Sequence, residues 1–246
     1  MINGITDNLE ILIPILIIFF AVFTQSLTGF GSALVAMAFL PELIGIKIAA
    51  PLVALIASTL EFFLLIRYRS SFRLQALWQL ILASLIGIPL GIWALKGIDE
   101  TILLAVLGIV ITGYALYALF NFKVPTLLHP LWAYGFGFIS GVLSGAYNTG
   151  GPPVVIYGTC RRWEPTEFKS NLQVFFLISD LLVVSGHAVN HNFNISILHY
   201  FVWALPALVL GILIGTNMDR FINQEIFRKI VLPLLVVMGI RLIFSA

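Results

Sequence analysis

The chain has 246 residues, of which 60% are apolar and only 10% charged, and its mean hydropathy is +1.06. That composition excludes a soluble globular domain, and a net charge of only +2 gives no support for nucleic-acid binding. The single cysteine, Cys160, excludes an internal disulfide and any cysteine-rich metal site.

A bilayer-crossing helix needs about 20 apolar residues, and the chain supplies such runs from end to end. The segment Met1 to Glu10 carries Asp7 and Glu10 but no Lys or Arg, so it lacks the basic region of a cleaved signal peptide and the first run is expected to be retained. That run extends from about Leu9 to Leu40, is interrupted by Gln25 to Ser32, and is expected to end at Pro41-Glu42. Further runs follow at Ile46–Ile66, Leu74–Leu95, Thr101–Phe120, Leu131–Cys160, Phe168–Val189, Ile195–Gly215 and Ile226–Phe244. The connections are too short to hold a soluble domain.

The run Leu131–Cys160 is broken by Gly145-Ala146-Tyr147-Asn148-Thr149-Gly150-Gly151-Pro152-Pro153. Adjacent glycines loosen a helix and prolines remove its donors. Inside hydrocarbon such a break survives only where protein or a water-filled cavity receives the freed backbone groups. Pro152 and Pro153 suit the first turn of a new helix. The N–H groups near Gly150 and Gly151 then point at whatever precedes that helix, which is a site for an anion. A tight kink that serves packing alone is the simpler alternative.

The chain also repeats itself at an offset of about 120 residues. Leu27-Thr28-Gly29 answers Leu143-Ser144-Gly145, and Lys47 answers Lys169, each followed eleven residues later by Ser58 and Asp180. Gly87-x3-Gly91 answers Gly211-x3-Gly215; small residues at this spacing predict close helix packing. Loop charge sets orientation, since basic loops remain cytoplasmic. The loops with Arg67, Arg69 and Arg73, with Lys123, with Arg161, Arg162 and Lys169, and with Arg220, Arg228 and Lys229 are predicted inside. The loops Lys96–Glu100 and Asn190–Asn194 are predicted outside, as are both termini; Lys47 and Arg241 run against this scheme. Leu131–Cys160 must then leave and return to the inside face, as a hairpin, and by symmetry Leu9–Leu40 is a hairpin entered from outside. The fold expected is an all-α polytopic membrane protein of two inverted repeats, residues 1–120 and 121–246. Each repeat is a broken hairpin plus three transmembrane helices, about eight to ten membrane helices in all. Discontinuous helices of this kind in inverted repeats build the central sites of secondary transporters.

The glycine-rich breaks at Leu27–Gly31 and Ser140–Pro153, the duplication and the length resemble the TauE/SafE sulfite exporter family of membrane transporters. Gly145-x5-Gly151-Pro152-Pro153 followed by Tyr157 is the most specific part, and the likeness covers essentially the whole chain. In the first break Ser32-Ala33 stands where relatives typically carry further glycines. The resemblance implies transport of small sulfur-containing anions, sulfite or short organosulfonates, across the bacterial inner membrane, with proton coupling. It does not give the direction.

The expected substrate-binding residues are Gln25, Thr28, Gly29, Gly31 and Ser32 in the first break and Asn148, Thr149, Gly150 and Gly151 in the second, where Asn148 and Thr149 would otherwise cap the following helix. Asn171 and Gln173 either line the same cavity or bond between helices. Asp180 is midway along an apolar run, where a carboxylate usually faces the bundle interior; it is the expected proton-coupling residue, or else a paired structural carboxylate. Glu61 is read as pairing with Arg67 or approaching the interface, with a coupling role as the alternative. His187 and His191 share a helix face without an accompanying carboxylate, so no metal site is expected, and no cofactor. No phosphate-binding fingerprint appears, so ATP does not power transport within this chain. Partners are the small anion, the bilayer and, as for many carriers of this size, a second copy in a homodimer. An anion channel, a membrane-embedded enzyme acting on lipid, and a helper subunit remain open as alternatives.

Overall fold

A computed structural model describes residues 2–68, 73–120, 122, 124–127, 129–218 and 221–245, with side chains described from residue 11 onward except at 68 and 224. The basic residues Arg69, Lys123 and Arg220 lie outside the described residues. Among the described residues ten helices follow one another: α1 (Ile2–Thr28), α2 (Ser32–Ile44), α3 (Ile46–Tyr68), α4 (Leu74–Gly97), α5 (Glu100–Phe120), α6 (Leu131–Tyr147), α7 (Gly151–Cys160), α8 (Pro165–Val189), α9 (Ile195–Met218) and α10 (Gln224–Phe244). Six of them, α1, α3, α4, α5, α8 and α9, are long and apolar enough to cross a bilayer. Among the described residues there is no strand. The chain is an all-helical, multi-pass membrane protein.

The breaks fall where glycine and proline cluster. Gly29 (φ 91°) and Gly31 (φ 107°) take left-handed backbone that a side chain would strain, and the chain reverses there. Pro41 does not end the first run as expected. It is inside α2 and buried. The helix stops instead at Gly45 (φ 78°), whose N–H bonds Pro41 O. Ile17, Phe20 and Thr24 of α1 share a groove with Val35 and Phe39 of α2, so the two helices fold back on one another.

Leu131–Cys160 is likewise a hairpin. Leu127 N–H donates to Cys160 O at 3.2 Å and the Arg161 guanidinium to Leu127 O at 2.9 Å, so its entry and exit meet. Polar contacts sort the connections into two groups. Arg73 pairs with Glu167 (3.7 Å) and Arg67 donates to Thr216 O (3.2 Å), joining the α3–α4 connection to the start of α8 and the end of α9. In the other group Ile46 N–H donates to Glu100 (3.1 Å), Lys96 to Asn190 O (2.6 Å), and Arg241 pairs with Glu42 (2.8 Å). The open end of the α6–α7 hairpin belongs with the first group and the end of α2 with the second.

Packing places the hairpins on opposite partners: α4 lies along α6, α9 along α1, α3 against α8, and α5 against α10. The glycines explain the first two. A Cβ on Gly87 or Gly91 would strike α6 backbone between Phe138 and Ala146, and one on Gly211 or Gly215 would strike α1 between Phe19 and Ser26. Small residues at these positions let the helix backbones touch, and dispersion between them holds the pair together in lipid.

Candidate functional site

The first break is internally wired. Gln25, near the end of α1, accepts from the Ser32 N–H (3.0 Å) and the Ser32 hydroxyl through Oε1, and donates through Nε2 to Glu61 of α3. One amide thus ties α1, the start of α2 and α3 together. Gly29 O accepts from Gln173 Nε2 of α8 at 2.7 Å. The Thr28 hydroxyl is within bonding distance of Thr24 O (2.8 Å) and Phe30 O (2.7 Å).

The second break is built differently. Asn148 adopts left-handed backbone (φ 55°) and ends α6, its N–H bonding Ser144 O at 2.8 Å, while Thr149 N–H bonds Leu143 O at 3.2 Å. This pattern satisfies carbonyls at a helix C-terminus. The Ser140 hydroxyl donates to Gly150 O at 2.7 Å, and a Cβ on Gly150 would run into Ser140 and Ser144. Gly150 is the N-cap of α7, with no side-chain cap bond, so the capping alternative for Asn148 and Thr149 does not hold. The Asn148 side chain bonds Asp180 instead, and the Thr149 hydroxyl has no partner.

Both breaks border one cavity, lined by Gln25, Gly31, Ser32, Glu61, Ser144, Asn148, Thr149, Gly150, Gly151 and Asp180, with Phe30 and Phe176 as apolar walls. The first turns of α2 and α7 reach it, each carrying a helix-dipole partial charge of about half a positive unit. Two carboxyl groups face it as well, Glu61 at 2% exposure and Asp180 at 5%. They are close enough to act on each other's charge, and Asn148 is the side-chain partner of Asp180. No Lys, Arg or His is among the lining residues. Glu61 Oε2, Asn148 Oδ1 and Thr149 Oγ1 are buried without a hydrogen-bond partner. The free space is about 30 Å³, enough for one or two waters but not for an organosulfonate.

Of the residues read from sequence, the cavity gathers Gln25, Gly31, Ser32, Asn148, Thr149, Gly150, Gly151 and Asp180. The other four lie elsewhere. Thr28 faces a separate groove with Tyr114 and Arg228. Gly29 faces Lys169, 3.4 Å from where a Cβ would stand, and Gln173 holds its carbonyl. Asn171 accepts from Arg73 N–H at 2.9 Å and so anchors the α3–α4 connection. Glu61 is not an interface residue paired with Arg67: its Oε1 accepts from Gln25 and its Oε2 faces the cavity. A signal for it exists, because Glu61 precedes Asp180 by nearly the repeat offset, as closely as the Ser58 that was matched to it.

The cavity is polar and is set between two interrupted helices, the placement that discontinuous helices give to the central sites of secondary transporters. The sulfite exporter TauE/SafE family model matches residues 14–242. A probable inner membrane transporter protein TsaS of Comamonas testosteroni is 26% identical over 177 residues, 68% of this chain and 73% of that protein. No solved structure matches the chain. With the family match spanning both helix breaks and all but the ends of the chain, this membrane transporter belongs to the TauE/SafE sulfite exporter family.

Proposed function

We propose that the protein is a secondary transporter of small sulfur-containing anions, sulfite or short organosulfonates, across the bacterial inner membrane. The observation that carries the reading is the meeting of both helix breaks at one buried cavity. Amide hydrogens of the first turns of α2 and α7, with the Asn148 amide and the Thr149 hydroxyl, contact the anion. These neutral donors hold it without a fixed cation, which favours release. The halves 1–120 and 121–246 act as inverted repeats, and the exchange of packing partners between α1/α9 and α6/α4 supports that division. Rocking of one half against the other opens the cavity alternately to each face and enlarges it for the substrate. Asp180 carries the coupling proton. The basic loops lie inside and both termini outside. The sulfur chemistry follows the family's description and the transporter role of the Comamonas relative.

Purified protein is screened by thermal shift against sulfite, sulfate, thiosulfate, taurine and sulfoacetate, then reconstituted for flux. Saturable uptake with counterflow is expected, and Asn148→Ala abolishes it while leaving membrane insertion intact. Non-saturating flux without counterflow makes the protein a channel. Normal flux in Asn148→Ala removes the site.

A further inference from the structure

The cavity has a surplus of acceptors. Glu61 Oε2 and Asn148 Oδ1 lack donors, and Thr149 Oγ1 is unpartnered, all three buried and facing the same space. Glu61 and Asp180 both line it and act on each other's charge. Toward them α1 presents Gln25, α2 presents Ser32, and α6 and its C-terminal break present Ser144 and Asn148. No Lys, Arg, His or Tyr lines the cavity, so the titratable group that shares it with each acid is the other acid. An anion entering beside two carboxylates is repelled at short range and in low dielectric. The same two groups, protonated, become hydroxyl donors. They then bond the orphaned oxygens or the anion itself.

Resting on the anion-carrier reading above, we propose that Glu61 is a second coupling group beside Asp180, so that two protons travel with each anion. On the open side each carboxylate takes one proton from hydronium, forming one O–H bond and leaving water. After the cavity opens to the opposite face, each O–H bond breaks and the proton returns to water as the anion leaves. A monoanion with two protons moves one net positive charge. An inside-negative, inside-alkaline membrane therefore drives the anion inward, and the protein is an uptake system for its substrate.

The test uses the full chain in liposomes with radiolabelled methanesulfonate, a strong-acid anion that takes up no proton of its own. The potential is clamped at zero and the lumen held one pH unit more alkaline than the outside. Each proton contributes a factor of about ten to the accumulation plateau, so the wild type reaches about 100-fold. Glu61→Gln and Asp180→Asn each reach about tenfold at most, and because a plateau does not depend on rate, slowed variants are still readable. An inside-negative potential raises the wild-type plateau further. A wild-type plateau of about tenfold or less overturns the proposal even where the variants fail to fold, and so does a Glu61→Gln plateau equal to that of the wild type. Counterflow without proton-driven accumulation overturns the coupling alone. Absence of wild-type counterflow overturns the carrier reading together with the coupling.

Discussion

The two helix breaks look alike in sequence and are opposite in construction. At the first, Gln25 closes a circuit of bonds with Ser32 and Glu61, and Gln173 holds Gly29 O. At the second, backbone bonds and the Ser140 hydroxyl secure the turn, while Asn148 Oδ1 and Thr149 Oγ1 are left unpaired. One break uses its polar side chains for structure; the other leaves polar atoms of two side chains unpaired. Buried polar groups are normally satisfied, so the unpartnered Thr149 hydroxyl supports the proposed contact with substrate at the second break.

Substitutions sharpen this contrast. The largest effect is expected at the crowded turn. Gly150→Leu drives a side chain into Ser140 and Ser144, costing about 3 kcal/mol and lowering the melting temperature by about 10 °C, with transport lost, in detergent thermal melts. Gln25→Ala comes next. It strands Glu61 and Ser32 and costs about 2 kcal/mol, whereas Thr149→Val, losing only an unpartnered hydroxyl, costs about 1 kcal/mol or less. Equal melting temperatures for these two variants would erase the distinction between the breaks.

Gly31→Ala isolates backbone strain, since the position has space for a methyl group but a φ of 107°; about 1–2 kcal/mol is expected, read in the same melt. Thr28→Val is the smallest. Its hydroxyl bonds only local carbonyls and faces another groove, so transport is unchanged and stability falls by about 0.5–1 kcal/mol. Lost transport in Thr28→Val would extend the site beyond the cavity.

Much of the architecture was legible in the residues. The apolar runs, the hairpin at Leu131–Cys160 and the GxxxG contacts follow from local rules: a span needs length, a break needs glycine or proline, and touching helices need small side chains. The end of α2 was not legible, because whether Pro41 stops a helix depends on what surrounds it. Whether Asn148 and Thr149 would cap α7 was not legible either; neither does, and both line the cavity. Asn171 and Gln173, two residues apart, point to different tasks, one at Arg73 and one at Gly29.

Sequence by itself therefore determined that this chain lives in a membrane, that its helices break twice, and which family it resembles. These are properties of composition and of short segments. Tertiary structure alone decided that Glu61 and Asp180 line one cavity, that Gln25 is a clamp, and that Thr28 and Asn171 lie outside the cavity. The direction of a side chain on a helix is set by rotation about the axis, and in lipid that rotation is chosen by which neighbouring helix supplies the closest packing.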